Sequence, residues 1–433
     1  MTTLTRTGRR PGLPAFDAPS AAIRAADDLV RRERAYGARN YDPLPVVIAR
    51  GEGSWLVDVD GRRYLDLMSA YSAVSFGHGH PRIVAALTEQ AHRLSVTSRA
   101  YFNDRLPLLL ERLVAITGLD RALPVNTGLE AVETAIKASR KWAHKVKGVP
   151  EGRAEIVACR GNFHGRSIAI TGLSTEPQYR DGFGPYPPGL RTVPYDDPAA
   201  LEAAIGPDTA AFLVEPVQGE AGIAVPKDGY LARCAEICRR HRVLMICDEV
   251  QTGLGRTGHT FGWQHDGAMP DGVILGKALG GGLLPVSAFV ATDDVMQVFQ
   301  PGDHGSTFGG NPLAAAVALA ALDVLEDERL VARSRELGEW LLVELRKIES
   351  PLVVDVRGRG LFIGVEVDPA RATARQVVDR LLARGILSKD THGTVIRIAP
   401  PLNVPREALH WAVGEIRGAI EDVEGGGGRA AWR

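Results

Sequence analysis

The chain has 433 residues, of which 45% are hydrophobic and 24% charged, the composition of a globular protein of two or three domains. Its 51 Lys and Arg residues nearly balance 52 Asp and Glu residues, so we expect no binding to nucleic acid or to a membrane surface through bulk charge. Four cysteines without a CxxC pair exclude a disulfide scaffold and predict reduced, buried thiols in a cytoplasmic protein. No long apolar run predicts a membrane span, and the start of the chain lacks the apolar core of a secretory signal.

The composition along the chain predicts its organisation. The predicted divisions are a flexible arm (1–20), an N-terminal segment (21–69), a large domain (70–315), a small C-terminal domain (316–424) and a flexible, Gly-rich tail (425–433). Within the N-terminal segment, alternating apolar and polar residues around Asp60-Gly61 predict a hairpin over residues 54–67. We expect this hairpin to pack with the small domain.

Short apolar runs bounded by Gly, Pro or acidic residues alternate with helical stretches in the large domain. The runs predict buried parallel strands over Glu155–Cys159, Ala211–Glu215, Val243–Asp248 and Gly272–Leu275. Helical spacing of apolar residues predicts helices over Leu129–Val146, Tyr230–His241 and Pro312–Glu326. This alternation predicts a doubly wound α/β domain with a mostly parallel sheet.

The C-terminal part of the chain has a different pattern. Residues 353–367 and 395–399 predict strands, whereas residues 374–384 and 406–423 predict helices. We therefore expect a smaller α+β domain after the large one.

Three features of the large domain indicate its chemistry. Asp248 ends one predicted strand, Lys277 follows the next, and Gly128 lies in a turn of small residues that opens a helix. Ligands of open α/β sheets bind beyond the carboxyl ends of the strands, where desolvation favours the neutral, nucleophilic form of a lysine. A carboxylate can keep a ring nitrogen protonated, and the N–H groups that open a helix can bind a phosphate. These features together meet the requirements for binding pyridoxal 5′-phosphate (PLP).

The same residues have other interpretations. A single strand-end lysine is usually exposed or paired, and a single strand-end aspartate usually caps a helix. A phosphate-loop NTPase is disfavoured, because only three residues separate Gly272 from Gly276 and Ala278 replaces the Ser or Thr that binds Mg²⁺. Nicotinamide binding is disfavoured because no GxGxxG follows a predicted first strand. His78 and His80 suggest a metal site, but we expect no metal because no Cys or carboxylate close to them in sequence completes one.

Motifs along nearly the whole chain resemble those of the class III (subgroup II) PLP-dependent aminotransferases, and most closely those of the ornithine aminotransferases. The motifs are SAYSAVSFGHGHP (69–81), NTGLEAVETAIKASRKW (126–142), GNFHGRS (161–167), EPVQGEAG (215–222), DEVQTGLGRTG (248–258), GKALGGGLLPVSA (276–288) and HGSTFGGNPLA (304–314). The resemblance implies PLP-dependent transferase fold type I, with the large doubly wound domain and the smaller α+β domain described above.

The resemblance also implies a set of cofactor-binding residues. Lys277 forms the Schiff base with PLP and moves the proton, Asp248 pairs with the pyridinium nitrogen, and Gln251 approaches the phenolic oxygen. Phe163 stacks on the ring. The backbone of Gly128 and Leu129 is implied to hold the phosphate with help from Thr307, and Thr127 and Ser306 are further implied cofactor-binding residues. Thr307 is implied to come from the partner subunit, so we expect a homodimer with shared active sites.

The implied reaction moves the terminal amine of L-ornithine to 2-oxoglutarate. It yields glutamate and glutamate-5-semialdehyde, which cyclises to pyrroline-5-carboxylate. Arg166 is implied to bind a substrate carboxylate, and Tyr41 and Tyr71 to shape the pocket for free ornithine. Arg397 is implied to bind the carboxylate of 2-oxoglutarate nearest the reacting carbon and to pair with Glu220 when ornithine is bound. A surface ion pair for each arginine and a capping role for Glu220 are the alternatives.

Class III enzymes that act on N-acetylornithine, 4-aminobutyrate or a related ω-amine are the nearest alternative. Tyr41 and Tyr71 favour ornithine, because acetylornithine enzymes generally lack this pair. His164 favours the alternative, because animal ornithine enzymes often have Trp there. The sequence leaves open whether His164 hydrogen-bonds near the cofactor or packs in a loop. A PLP-free binding protein of the same fold is disfavoured, because no structural role requires both Lys277 and Asp248.

Overall fold

The computed structural model describes residues 26–426. The predicted flexible arm, the first residues of the N-terminal segment and most of the predicted tail lie outside the described residues. The helices are α1 (Ala26–Tyr36), α2 (Ser69–Ser72), α3 (Pro81–Arg93), α4 (Leu106–Thr117), α5 (Gly128–Trp142), α6 (Ile168–Thr171), α7 (Pro177–Arg180), α8 (Pro198–Ala204), α9 (Tyr230–Arg240), α10 (Asp293–Met296), α11 (Pro312–Asp327), α12 (Leu330–Arg346), α13 (Ala374–Ala383) and α14 (Arg406–Glu424). A π-helical turn follows α5 (Ala143–Lys147), and two further turns are 3₁₀-helical (Gly262–His265 and Lys277–Gly280).

The strands form three sheets. They are β1 (Ile48–Glu52), β2 (Trp55–Asp58), β3 (Arg63–Asp66), β4 (Arg121–Val125), β5 (Glu155–Cys159), β6 (Leu190–Val193), β7 (Thr209–Val214), β8 (Leu244–Asp248), β9 (Gly272–Leu275), β10 (Ser287–Ala291), β11 (Val353–Arg359), β12 (Phe362–Val367), β13 (Ile386–Leu387), β14 (Asp390–Thr391) and β15 (Val395–Ile398). The strand orders are β1-β2-β3-β13, β4-β10-β9-β8-β7-β5-β6 and β11-β12-β15-β14.

The seven-stranded sheet is the centre of the large domain. In this sheet β10 runs in the opposite direction to the other six strands. The four predicted parallel strands are confirmed as β5, β7, β8 and β9, whereas β4, β6 and β10 were not predicted. Side chains of β8 alternate between two cores, because Met245 and Cys247 pack on one face of the sheet and Leu244 and Ile246 on the other. Helices cover both faces, so the predicted doubly wound α/β architecture is confirmed.

The predicted hairpin is confirmed as the antiparallel pair β2 and β3. Its turn is stabilised by Asp58, whose Oδ1 accepts hydrogen bonds from the N–H groups of Asp60 and Arg62 at 3.0 and 2.8 Å. On its other side β3 pairs in parallel with β13, with Leu65 opposite Ile386. The hairpin is therefore joined by backbone hydrogen bonds to the C-terminal part of the chain.

The parallel strands bring three side chains to one edge of the large sheet. Asp248 is the last residue of β8, Glu215 directly follows β7, and Lys277 lies two residues beyond the end of β9. Because β7, β8 and β9 are parallel neighbours, these residues leave the sheet at the same edge. Helix α5 begins near that edge after β4. None of the helices in the described part of the chain is long and apolar enough to cross a membrane.

Candidate active site

A cavity of about 330 Å³ lies at this edge of the sheet. It is lined by Tyr41, Gly128, Leu129, Phe163, His164, Gly165, Arg166, Glu215, Val217, Asp248, Val250, Gln251, Thr252 and Lys277. A second cavity of about 340 Å³ shares Gly128 and Lys277 with the first and is also lined by Thr127. A larger open depression of about 1160 Å³, beside Arg160 and Tyr186, contains none of the predicted site residues. Most of the predicted cofactor residues therefore meet in one place.

Lys277 has the properties of a nucleophilic amine. Its backbone adopts φ 44°, a left-handed conformation that is rare outside glycine and that typically occurs at functional sites. Within residues 26–426 its amine forms neither a hydrogen bond nor an ion pair. Burial lowers the pKa of Lys277, although the negative charges of Glu220 and Asp248 oppose this shift. This lowered pKa is in the direction expected for a lysine at the end of a buried strand.

Asp248 is buried and both of its carboxylate oxygens are engaged. Oδ2 lies 2.8 Å from Nδ1 of His164, and Oδ1 accepts a hydrogen bond of 3.1 Å from the N–H of Val250. Burial alone would lower the pKa of His164, but its hydrogen bond to Asp248 and the charge of that carboxylate raise it overall. His164 is therefore a hydrogen-bond partner in the site and more than a packed loop residue.

Helix α5 begins with a capping box. Thr127 Oγ1 accepts a hydrogen bond of 3.2 Å from the N–H of Glu130, and the Glu130 carboxylate accepts one of 2.8 Å from the N–H of Thr127. The next two N–H groups, those of Gly128 and Leu129, have no acceptor within the described residues. These N–H groups lie at the positive end of a 15-residue helix and line the cavity. They can bind a phosphate.

These residues fit PLP. A desolvated amine, a buried carboxylate and two helix N–H groups line one cavity that is large enough for a small cofactor, and within the described range neither the amine nor these N–H groups have a partner. A Cβ atom at Gly128 would lie only 3.0 Å from Cγ1 of Val250, so a larger residue at this position would require Val250 to shift. Phe163 and Gln251 also line the cavity and can contact the ring of the cofactor.

The predicted pair of opposite charges is present beside the cavity. Arg397 donates two hydrogen bonds, of 2.7 and 2.6 Å, to the two carboxylate oxygens of Glu220. Burial would raise the pKa of Glu220, but the hydrogen bonds and charge of Arg397 lower it overall. The guanidinium of Arg397 lies 5.2 Å from the ring centroid of Tyr71. Tyr71 belongs to α2, where Ser69–Ser72 all have positive φ, so an unusual backbone turn directs this side chain.

Arg166, Tyr41 and the loop with Thr307 face solvent in the single chain. Arg166 and Tyr41 are exposed residues that line the mouth of the cavity. Ser306 lies outside both cavities and accepts a hydrogen bond of 2.8 Å from the side-chain amide of Asn126. Thr307 is exposed and lines neither cavity. One chain thus brings together the predicted cofactor residues except Ser306 and Thr307.

The two histidines that suggested a metal are paired with carboxylates distant in the sequence. Nε2 of His78 lies 2.8 Å from Asp66, and Nε2 of His80 lies 2.9 Å from Glu328. Each histidine is thus paired with a single carboxylate that its sequence neighbourhood does not indicate. Over residues 26–426, no three His, Cys, Asp or Glu side chains form a group that could hold a metal ion.

Two residues of the site, Glu215 and Tyr179, are not among those predicted from the sequence. Glu215 is buried in the cavity wall, where burial raises its pKa to about 8 and its carboxylate accepts a hydrogen bond of 3.0 Å from the N–H of Phe163. Its position after β7 matches that of Asp248 on β8, so the strand-end rule could have identified it. Tyr179 stacks on the guanidinium of Arg166, and no local sequence signal indicates this contact.

Comparison with known proteins identifies the family. The model of the class III aminotransferases matches residues 36–420. The ornithine aminotransferase of Bacillus subtilis is 52% identical over 402 residues, which cover 93% of this chain and 100% of that protein. The ornithine aminotransferase of Halalkalibacterium halodurans is 53% identical over 388 residues, which cover 90% of this chain and 97% of that protein.

Solved structures agree with this assignment. The ornithine aminotransferase of Toxoplasma gondii, which has partial occupancy of PLP at its active site, is 44% identical with a TM-score of 0.92, covering 94% of this chain and 96% of that one. The acetylornithine aminotransferase of Elizabethkingia anophelis is also 44% identical, with a TM-score of 0.83, covering 92% of this chain and 100% of that one. The chain belongs to the class III aminotransferases, a family of PLP-dependent enzymes of fold type I.

Proposed function

We propose that this protein is an ornithine δ-aminotransferase, which transfers the terminal amine of L-ornithine to 2-oxoglutarate. The observation that carries the proposal is the bidentate pair of Glu220 with the buried Arg397, beside a cavity that contains Lys277. Ornithine has two amines and a single carboxylate, so its correct binding requires that Arg397 be paired with Glu220. The acceptor 2-oxoglutarate has two carboxylates, so its binding requires that Arg397 be unpaired. Relatives named ornithine aminotransferase that align over nearly their full lengths support this substrate.

Each residue at the cavity has a separate role towards the cofactor. PLP supplies a carbonyl that condenses with amines and a protonated ring that accepts electrons when a substrate carbon loses its proton. Lys277 anchors the cofactor and carries that proton, because its lowered pKa makes the neutral amine accessible. Asp248, held by His164, keeps the ring nitrogen protonated. The N–H groups of Gly128 and Leu129 bind the phosphate.

The substrate residues set which amine reaches Lys277. Arg166 binds the α-carboxylate of ornithine at the mouth of the cavity, so the δ-amine extends inwards. The phenol oxygen of Tyr41 accepts a hydrogen bond from the α-ammonium group and Tyr71 shapes the pocket around it, whereas an acetylated amine carries no charge and has a single N–H. While ornithine is bound, Glu220 neutralises Arg397. When 2-oxoglutarate binds, its carboxylate takes the place of Glu220.

N-acetylornithine is the second candidate donor. The acetylornithine aminotransferase of Elizabethkingia anophelis is as similar in sequence to this chain as the Toxoplasma gondii ornithine enzyme is. His164 also favours this alternative. Purified holoenzyme should therefore be assayed with 2-oxoglutarate and either donor, with pyrroline-5-carboxylate and glutamate as the readouts. We expect rapid pyrroline-5-carboxylate formation from ornithine and little glutamate from the acetylated donor. The reverse preference would contradict the proposal.

The role of Lys277 has its own test. We expect Lys277→Ala to abolish multiple turnover, because the variant lacks both the anchor and the proton carrier. Asp248→Asn serves as a comparison, since it should still bind PLP but weaken the electron-accepting ring. Turnover of Lys277→Ala at the wild-type rate would contradict the assignment.

The enzyme is proposed to act as a homodimer in the cytoplasm. Tyr101, Phe102 and Phe308 are exposed by 71, 94 and 55% in the single chain, an aromatic surface that a partner subunit can cover. The side-chain amide of Asn103 donates a hydrogen bond of 3.3 Å to the carbonyl of Gly310, so this surface is continuous with the loop that carries Thr307. The four cysteines are buried and free, which fits a reducing compartment.

Mixed dimers test whether Thr307 acts in the partner's site. Lys277→Ala and Thr307→Ala subunits are mixed, allowed to exchange, and assayed at limiting PLP. In a mixed dimer one site has both residues intact, so we expect more activity than the two separate variants provide together. Activity equal to that sum would mean that each subunit uses its own Thr307 or none.

A further inference from the structure

Arg166 is the cation at the mouth of the cavity, and its charge acts on the carboxylate of Glu220 without a direct contact. Within residues 26–426 it forms no ion pair. Its guanidinium carbon instead lies 4.0 Å from the ring centroid of Tyr179 and 5.6 Å from that of Phe163. An exposed arginine has many rotamers, so stacking on two aromatic rings restricts the direction of its guanidinium group.

Tyr179 is held in place by contacts of its own. Its ring meets that of Phe163 edge to face, with centroids 6.0 Å apart and an angle of 79°. Helix α7, which carries Tyr179, is anchored by Arg180, whose Nη1 donates hydrogen bonds of 2.7 and 3.2 Å to the carbonyls of Gly172 and Ser174. The ring is therefore a fixed support between Phe163 and Arg166.

The tyrosine also faces the other half of the substrate site. It lies near enough to Tyr71 and Arg397 to interact electrostatically with both. Its ring thus contacts one arginine of the site directly and lies close to the residues around the other. A change at this position is expected to alter how substrates bind and to leave the proton transfer at Lys277 intact.

We propose that Tyr179 positions Arg166 for the α-carboxylate of the amine donor, and that this contact makes the enzyme select donors that carry a carboxylate. This role rests on the proposed function, in which Arg166 binds the α-carboxylate of ornithine. A guanidinium that stacks on a ring keeps its N–H edge free for a bidentate carboxylate. An acidic partner would compete with the substrate for that edge, whereas an aromatic partner does not.

The test compares two variants in a single half-reaction. Tyr179→Leu removes the ring, and Tyr179→Phe is the matched control that keeps the ring without its hydroxyl. Holoenzyme is mixed with ornithine or with pentylamine, a donor of similar length without a carboxylate, and the absorbance of bound PLP is followed. Because no 2-oxoglutarate is present, its carboxylates do not affect the result.

We expect Tyr179→Leu to raise the half-saturating ornithine concentration about tenfold, which corresponds to about 1.4 kcal/mol, with a saturating rate within about twofold of wild type. Tyr179→Phe should behave as wild type, and pentylamine should react equally with all three proteins. Equal losses with both donors would mean a general packing role and would overturn the proposal. An unchanged Tyr179→Leu, or a Tyr179→Phe with the same loss, would also overturn it.

A double-mutant cycle tests whether Tyr179 acts through Arg166. Arg166→Gln should weaken ornithine binding, and adding Tyr179→Leu to it should cause no further loss. Additive losses would show that Tyr179 acts independently and would contradict the proposal. Wild-type enzyme that is inert towards ornithine would overturn the proposed function itself, and the role of Tyr179 with it. An active wild type with additive losses overturns only the role of Tyr179.

Discussion

Removal of Glu220 should change which amine of ornithine the enzyme transfers. In the wild type both oxygens of Glu220 occupy the guanidinium of Arg397, so a carboxylate of ornithine must displace them to bind there. In Glu220→Ala the guanidinium is free. The α-carboxylate of ornithine can then bind Arg397, which presents the α-amine to Lys277 instead of the δ-amine.

The geometry sets the size of this effect. Hydrogen bonds between charged groups contribute about 1.5–3 kcal/mol each, and Arg397 makes two to Glu220 over 2.6–2.7 Å. When the α-carboxylate of ornithine displaces Glu220, its own hydrogen bonds to Arg397 replace most of those that are lost. We therefore take the net difference in binding free energy as about 1.4–2.8 kcal/mol, which corresponds to roughly ten- to a hundredfold. Transfer of the α-amine should rise by this factor relative to transfer of the δ-amine, and the KM for 2-oxoglutarate should fall.

The assay measures the ratio of the two products of ornithine, pyrroline-5-carboxylate and 5-amino-2-oxopentanoate, after chromatographic separation, because the open-chain products are isomers of equal mass and so are their cyclised forms. Glu220→Gln is the matched control, because it keeps the shape and loses the charge, and its ratio should lie between those of wild type and Glu220→Ala. The pKa of Glu220 is lowered overall, so the pair is intact above the ordinary pKa of a glutamate and is lost only as the pH falls through the lower, folded value. The ratio should therefore not change between about pH 6 and 9. An unchanged product ratio in Glu220→Ala, with an unchanged KM for 2-oxoglutarate, would show that Glu220 does not keep substrate carboxylates from Arg397.

Three further predictions concern buried groups. Glu215 has a folded pKa of about 8, above the ordinary 4.5, so the wild type should lose stability as the pH rises between these values. The Tm of apo Glu215→Gln minus that of the apo wild type should increase from pH 5 to pH 8. For the exposed control Glu89→Gln, the corresponding Tm difference should stay constant. Arg256 is fully buried and donates hydrogen bonds to two carbonyls and two serine hydroxyls, so Arg256→Met should lower the free energy of unfolding by about 2–4 kcal/mol. Thermal unfolding would measure this loss, and a change no larger than that of the exposed control Lys145→Met would contradict it. Because the four thiols are buried and burial raises their pKa, none should react with Ellman's reagent before unfolding and four should react afterwards; a fast-reacting thiol in native protein would contradict this.

The catalytic edge of the large sheet could be predicted from the sequence because its signals are local. Buried parallel strands appear as short apolar runs; Asp248 ends one such run, and Lys277 lies two residues beyond another. The turn before α5 also has a local signal, since Thr127 and Glu130 have the spacing of a capping box. The position of each of these residues in the site follows from the strand or helix whose end it occupies.

Other parts of the site depend on contacts between distant segments, which periodicity does not reveal. Tyr179 meets Arg166 within the irregular connection between β5 and β6, where no periodic pattern relates the two positions. Tyr71 lies in a turn of residues with positive φ, although SAYS contains no glycine to indicate such a turn. The buried Arg256 joins Ser69 to Pro400, and nothing in the sequence GRTG distinguishes it from a surface arginine.

The most direct test of the central claim follows the nitrogen itself. Holoenzyme is incubated with 2-oxoglutarate and ornithine labelled with ¹⁵N at the δ-amine, and the glutamate formed is analysed by mass spectrometry. Arg166 holds the α-carboxylate away from Lys277, and Glu220 pairs with Arg397. We therefore expect the glutamate to carry ¹⁵N. Unlabelled glutamate from the same reaction would show that the α-amine is transferred and would contradict the account.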